Sequence, residues 1–133
     1  MAQERFRVAL SGDFVRPDGA PAYPDFDLSP LRDDPRIDCF FLDRGGDEIR
    51  AAQIEHVDAL ILLAPRFGRA SIHPNGRLGV VARFGVGYDN VDVPACTEHG
   101  IALVITPDGV RRPVAVAILT LMLALAGKLM VKD

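Results

Sequence analysis

Five short apolar runs are spaced along the chain, and each is followed by glycine, proline or polar residues that are typical of turns. The runs are continuous rather than alternating in polarity, a pattern that favours strands buried on both faces of a parallel sheet. The clearest example is ALILLA at residues 59–64. The predicted strands are residues 5–12, 37–43, 59–64, 79–83 and 101–105.

Helical signals lie between these runs. Ser29, as a cap followed by Pro30, predicts a short helix. Apolar residues at mixed helical spacing predict a second helix over residues 47–57. Asp92 can cap a third helix, which Gly100 ends in the left-handed conformation. Strands joined by right-handed crossovers predict an α/β fold, here a flavodoxin-like doubly wound five-stranded parallel sheet.

The segment from Val114 to Ala126 is almost wholly apolar. A membrane span needs about twenty residues, whereas this run has about fourteen. A core helix of one small domain would carry a polar stripe, and none is evident. The pattern therefore favours a helix buried on several sides, between two domains or two subunits. We accordingly divide the chain into a domain at residues 1–108 and a linker with an interdomain helix at residues 109–133.

Composition narrows the function classes. The chain has 133 residues, 49% of them hydrophobic and 25% charged, with a net charge of −3. This charge gives no general attraction to nucleic acid or to an anionic membrane. Cys39 and Cys96 lack metal-binding spacing and are interpreted as buried free thiols, and we predict no metal site. The first residues lack the features of a signal peptide, so a cytoplasmic location is expected.

The turn between residues 85 and 90, GVGYDN, is the strongest candidate for chemistry. It partly matches a dinucleotide fingerprint, but Asn90 stands where a small residue is expected and the following helix is only about two turns long. A purely structural turn is the second alternative. We favour the third, a loop that contacts a small molecule, in which the backbone N–H groups of Val86 and Gly87 bind a carboxylate.

Two arginines lie near this turn in the predicted sheet. Arg66, at the carboxyl end of the third strand, either adds positive charge for a carboxylate or phosphate or is a solvated loop residue. Arg83 is interpreted as a paired structural residue. Asn90 and Asp92 suit turn locking and helix capping better than ligand contact.

The run RFGVGYDNVDVPACTEHGIALVITPDGVRRPVAVAILTLMLAL resembles the catalytic domain of the D-isomer-specific 2-hydroxyacid dehydrogenases. The resemblance implies a flavodoxin-like substrate domain, with Val86 and Gly87 at the position that hydrogen-bonds the substrate carboxylate. It also implies a 2-hydroxy or 2-oxo acid substrate, a homodimer, and NAD or NADP bound mainly by a separate domain. Asp108 is the one cofactor-side candidate in this chain.

In the resembling family the acid/base His, its Glu partner and an Arg lie in the cofactor domain. His56, His73 and His99 match none of these positions, so we name no catalytic residue in this chain and expect these 133 residues alone to be inactive. The rival interpretation is a receiver-like interaction module. It lacks support because Asp13 stands without a second acid and because Ala64 occupies the position of the receiver's phosphorylated Asp.

Overall fold

The computed structural model describes residues 4–129, and the five apolar runs form one parallel sheet within it. The strand order is β2-β1-β3-β4-β5, the flavodoxin-like order of doubly wound folds. Every pairing is parallel, so the fold-class prediction is confirmed. The strands are β1 Phe6–Leu10, β2 Ile37–Phe41, β3 Ala59–Leu62, β4 Val80–Arg83 and β5 Ala102–Val104.

Two short helices follow local capping signals. In α2, Val93–Glu98, the Asp92 carboxylate accepts a hydrogen bond from the Ala95 N–H at 3.0 Å, and Gly100 has a φ of 67° beyond the helix end, both as predicted. In α1, Ser29–Arg32, the predicted Ser29 cap is wrong. The backbone N–H of Ser29 instead donates to the Asp27 carboxylate at 2.9 Å, and this hydrogen bond lowers the pKa of Asp27.

The predicted helix over residues 47–57 is wrong, because only the 3-10 turn Ala51–Gln53 is helical there. The cause is a distant backbone pairing. The Arg66 N–H donates to the Asp47 carbonyl at 2.7 Å, and the Ile49 N–H donates to the Arg66 carbonyl at 2.9 Å. These bonds hold the first part of the segment extended, although the side chains of Ile49, Ile54 and Val57 are buried.

The core has two unequal parts on the two faces of the sheet. The larger part packs Leu60, Leu62 and Val81, all 0% exposed, beneath loop and α2 residues. The smaller part is built on Leu10, Phe14 and Leu28. Ile61, which faces the smaller part, is only half-buried. The prediction that β3 is buried on both faces is therefore wrong for this second face.

A third helix, α3, spans Pro107–Ala126, and none of its described residues is buried. It starts two residues before the predicted boundary, so Pro107 and Asp108 belong to its first turn rather than to a preceding turn. It has 20 residues, and an 18-residue window within it has a mean hydropathy of 1.6, so α3 is long and apolar enough to cross a membrane by length and composition. The length of the apolar run therefore does not exclude a membrane span, contrary to the expectation from the sequence. Residues 130–133 lie outside the described part.

Candidate functional site

The turn after β4 lies at the carboxyl edge of the sheet, where open α/β sheets bind ligands. Gly85 has a φ of 143°, a backbone conformation that favours glycine. The chain then runs outward, so that Val86 is 40% exposed and Gly87 is exposed as well. Within residues 4–129, the N–H groups of Val86 and Gly87 donate to no protein acceptor. Two adjacent free amides of this kind can hydrogen-bond an anion.

One negative charge lies beside these amides. The Asp89 carboxylate is 4.0 Å from the point where a Cβ on Gly87 would sit. It weakens the attraction of the turn for an anion, because like charges at this range repel even in a solvated site. The Arg83 guanidinium lies 3.0 Å from the point where a Cβ on Gly85 would sit, so the turn carries one charge of each sign. It therefore suits a carboxylate held mainly by hydrogen bonds.

Asn90 ties the turn to the loop after β3. Its side-chain amide donates to the Pro65 carbonyl at 2.9 Å, and its backbone carbonyl accepts from the Phe67 N–H at 2.7 Å. The Phe67 carbonyl in turn accepts from the Asp92 N–H at 2.8 Å. Asn90 and Asp92 thus act in locking and capping, as predicted, and the two loops form one connected edge.

Arg66 lies on that same edge but faces a different concavity. It lines a cleft of about 620 Å³ with the loops that follow β1 and β2, and neither Val86 nor Gly87 lines this cleft. The structure therefore places the three predicted substrate-binding residues on one sheet edge without bringing Arg66 into a shared cavity with the amide pair. The charged residues of the cleft are Asp13, Asp43, Arg44, Asp47, Glu48 and Arg66.

Ser11 and Asp13 lock the loop after β1 to the loop after β3. The buried Ser11 hydroxyl donates to the Asp13 carboxylate at 2.6 Å and accepts from the Leu63 N–H at 3.0 Å. The second Asp13 oxygen accepts from the Ala64 N–H at 2.9 Å. Sequence reasoning missed this role of Ser11. The signal was a Ser-x-Asp at a strand exit, where both side chains commonly bond backbone groups.

Arg83 is not paired with a carboxylate in the described residues, so the predicted structural ion pair is wrong. Its guanidinium instead folds onto its own turn and donates to the carbonyl of Phe84. The Nε atom is buried without a hydrogen-bond partner. The positive charge of the Arg83 guanidinium therefore lies close to the backbone of the turn.

Sequence reasoning also missed two anchors of the turn. The Phe84 ring packs against three other aromatic rings, with centroids 4.9 Å from Phe26, 5.2 Å from Phe14 and 5.3 Å from Tyr23. On the other side, the Gly85 backbone is bonded to Thr106, the residue before α3. Neither anchor has a local signal, because each joins segments that are far apart in the sequence.

The described residues do not fit a dinucleotide site. After the Gly85 turn, Asn90 is used to hold a loop and α2 has only six residues. Asp108 lies in the first turn of α3, exposed, with its carboxylate 3.2 Å from the guanidinium of Arg111. Both side chains are exposed, so this ion pair is weak, and the cofactor-side role of Asp108 stays a prediction.

No histidine stands beside the amide pair in the described chain. Of the three histidines, His99 has its Nδ1 2.8 Å from the Ala95 carbonyl within α2, and His73 lies against the Asn75 N–H. No group of three His, Cys, Asp or Glu side chains between residues 4 and 129 could hold a metal ion. Cys39 and Cys96 are free thiols, and burial raises the pKa of both.

Residues 27–116 match the family described as D-isomer specific 2-hydroxyacid dehydrogenase, catalytic domain. The chain belongs to this family. The match takes in the amide pair, Asn90, Asp92 and Thr106. It agrees with the resemblance that the turn and its flanking segments carry in the sequence.

Members of the family are similar to the chain over more than half of its length. A glyoxylate reductase of Thermococcus gammatolerans is 38% identical over 87 residues, which are 65% of this chain and 26% of that protein. A D-3-phosphoglycerate dehydrogenase of Synechocystis sp. is 38% identical over 74 residues, or 55% of this chain and 13% of that protein. The chain thus spans about a quarter or less of the dehydrogenases that it matches.

A solved structure gives the same fold. It is described as "Identification of the pyruvate reductase of Chlamydomonas reinhardtii", and it superposes on 91% of this chain and 35% of its own with a TM-score of 0.67 at 23% identity. At this identity the likeness concerns the fold alone. It covers a larger share of the chain than the residues 27–116 that match the family.

Proposed function

We propose that this chain is the substrate-binding part of an NAD- or NADP-dependent oxidoreductase acting on the CH–OH group of a D-2-hydroxy acid. The observation that carries the proposal is the exposed pair of unpartnered amides at Val86 and Gly87, on the carboxyl edge of a sheet that belongs to this dehydrogenase family. The substrate carboxylate accepts hydrogen bonds from these two N–H groups.

The contribution of this chain is binding and orientation. Holding the carboxylate at two adjacent amides fixes the neighbouring 2-carbon in place, which lowers the entropic cost of reaction. Asn90 and Phe84 hold the turn in position from either side. No described histidine lies beside the turn to move the hydroxyl proton. The catalytic residues and most of the cofactor site therefore belong to a separate domain.

The exposed α3 is proposed to carry the connection to that domain. A helix that is apolar all round needs cover from more than one side. The cofactor domain, together with a second protomer in a cytoplasmic homodimer, would supply that cover. Membership of a dehydrogenase family supports this role over a membrane span.

The test compares two proteins. The 133-residue chain and the longer natural protein that contains it are purified, and oxidation of NADH and NADPH is followed with glyoxylate, hydroxypyruvate and pyruvate. We expect turnover by the longer protein and none by the 133-residue chain. Appreciable turnover by the short chain would contradict the proposal that the chemistry lies in another domain. Absence of turnover by the longer protein with all three acids would contradict the function itself.

A further inference from the structure

The hydroxyl of Thr106 does not cap α3, although Thr106 stands at the N-cap position of that helix. Thr106 is the N-cap residue of α3, where a threonine side chain commonly accepts a hydrogen bond from the first turn of the helix. Here no side-chain capping bond forms. The hydroxyl lies against Gly85 instead, 21 residues away in the sequence.

Thr106 forms hydrogen bonds with both backbone polar groups of Gly85, the N–H and the carbonyl. The Gly85 N–H donates to the Thr106 hydroxyl at 3.0 Å, and the Thr106 N–H donates to the Gly85 carbonyl at 2.9 Å. The hydroxyl also lies within donating distance of that carbonyl, at 3.3 Å. The Gly85 N–H is shared with the Arg83 carbonyl at 2.9 Å, and the threonine thus bonds both peptide groups that flank the Gly85 Cα.

The second of these peptide groups joins the Gly85 carbonyl to the Val86 N–H, so Thr106 holds the group that carries the first free amide. Val86 and Gly87 follow directly, and their N–H groups have no protein acceptor in residues 4–129. The direction in which those two amides point is therefore set at Gly85, whose φ of 143° already departs from the conformations that other residues adopt. A small rotation at Gly85 displaces both amides together.

We propose that Thr106 is a positioning residue that fixes the Val86–Gly87 amides relative to the start of α3. The inference rests on the proposed function, because it assigns to those amides the substrate carboxylate and to α3 the connection to the cofactor domain. Since α3 begins at Pro107, immediately after Thr106, a movement of the helix start is transmitted to the carboxylate turn. Thr106 thereby keeps the carboxylate-binding amides at a fixed position relative to the cofactor domain.

The experiment uses the full-length natural protein and three variants. Thr106→Val keeps the shape of the side chain and the backbone bond but removes the hydroxyl. Thr106→Ser restores the hydroxyl. Thr97→Val is the matched control, because the Thr97 hydroxyl donates only to the Val93 carbonyl within α2. KM and kcat are measured for glyoxylate and for the nicotinamide cofactor, and amide hydrogen exchange is followed in a peptide that covers residues 84–90.

We expect Thr106→Val to raise KM for glyoxylate by about fivefold or more, with a smaller change in kcat and none in KM for the cofactor. Exchange of the peptide should become about threefold faster. Thr106→Ser and Thr97→Val should remain within about twofold of the wild type in both measurements. Recovery by serine separates the hydroxyl bond from a general loss of stability.

Two results would overturn the inference in different ways. If the wild type reduces glyoxylate and Thr106→Val leaves KM and exchange unchanged, the positioning role is wrong while the proposed function stands. If the wild type reduces none of the 2-oxo acids, the proposed function is wrong and the role of Thr106 is wrong with it.

Discussion

The side-chain amide of Asn90 donates to the carbonyl of Pro65 at 2.9 Å and thereby joins the loops that follow β4 and β3. Its nitrogen also lies 3.3 Å from the Leu63 carbonyl oxygen, so one NH₂ group bonds two carbonyls of the segment that follows β3. Both loops belong to the carboxyl edge on which the candidate substrate residues lie. The geometry of that edge thus depends on a side chain that we do not expect to touch the substrate.

Replacing Asn90 with alanine should destabilise the fold. The substitution leaves half-buried carbonyls without their donor, which typically costs about 1–3 kcal/mol. Chemical denaturation measures the free energy of unfolding, with Asn75→Ala as the control, because Asn75 is exposed and its side chain makes no hydrogen bond in the described structure. Equal stabilities for the two variants would contradict the locking role.

Much of this fold follows from local signals. The five strands are apolar runs bounded by turn residues, and the Asp92 cap and Gly100 stop have their usual effect on α2. The Ser29 cap failed locally, because Asp27 bonds the Ser29 N–H, but the failed helix depends on a distant partner. The segment at 47–57 has helical spacing, but the backbone of Arg66 draws its start into an extended pairing.

The site was predictable to a similar extent. A glycine turn at a strand exit indicated the exposed amides of Val86 and Gly87. Which cleft Arg66 faces depends on how three loops pack, and no pattern in the sequence reports this. The same holds for the bond from Thr106 to Gly85, which joins two separate strand exits.

Gly85→Ala should be more harmful than a glycine substitution in α3. The φ of 143° is strained for alanine, and a Cβ there would lie 3.0 Å from the Arg83 guanidinium. We expect a loss of about 1–3 kcal/mol in stability, together with a raised KM for the 2-oxo acid. Gly109→Ala is the control, because a Cβ there meets nothing within 4 Å. It should stabilise the helix by about 0.5–1 kcal/mol. Equal effects of the two substitutions would be inconsistent with a constrained turn.

Asp89→Asn should improve substrate binding at the amide pair. The change removes the negative charge beside Gly87, so KM for glyoxylate should fall by about two- to threefold at low ionic strength, and the gain should shrink in salt. Asp43→Asn, in the cleft that Arg66 lines, is the matched control and should leave KM unchanged. A larger effect at Asp43 would instead place the substrate carboxylate beside Arg66.

Asp58 lies at the amino edge of the sheet, opposite the candidate site, and should make the stability of the fold depend on pH. Burial tends to raise the pKa of this carboxyl, but hydrogen bonds from the Arg77 side chain at 2.7 Å and from the Arg7 N–H at 2.7 Å outweigh it and lower the pKa. A lowered pKa in the folded state stabilises the fold above the unfolded value of about 4, and that contribution is lost as pH falls through the folded pKa.

Asp58→Asn should therefore reduce stability at neutral pH, with a difference from the wild type that narrows as the pH drops below about 4. Thermal unfolding between neutral and acid pH measures the difference. The exposed Asp25 offers a matched change, Asp25→Asn, which should give a small difference at every pH. If the loss at Asp58 were independent of pH, its ion pair would not be the cause.

The exposure of α3 leads to a prediction about the cell fraction in which the full-length protein is found. If the helix lies between domains, the full-length protein stays in the soluble fraction after lysis. The isolated 133-residue chain, with apolar side chains such as Leu121 and Leu125 more than 60% exposed, should self-associate. Retention of the full-length protein in membranes after an alkaline carbonate wash would favour a span, which α3 is long enough to form.

The central claim is that the Val86 and Gly87 amides bind the substrate carboxylate. Titration of oxamate, an unreactive 2-oxo acid analogue, into the isotope-labelled full-length protein with its reduced cofactor tests it by amide NMR. We predict that the proton resonances of Val86 and Gly87 shift downfield, saturating together with inhibition of turnover. Saturable shifts confined to Arg66 and the cleft that it lines, with Val86 and Gly87 unmoved, would contradict the account.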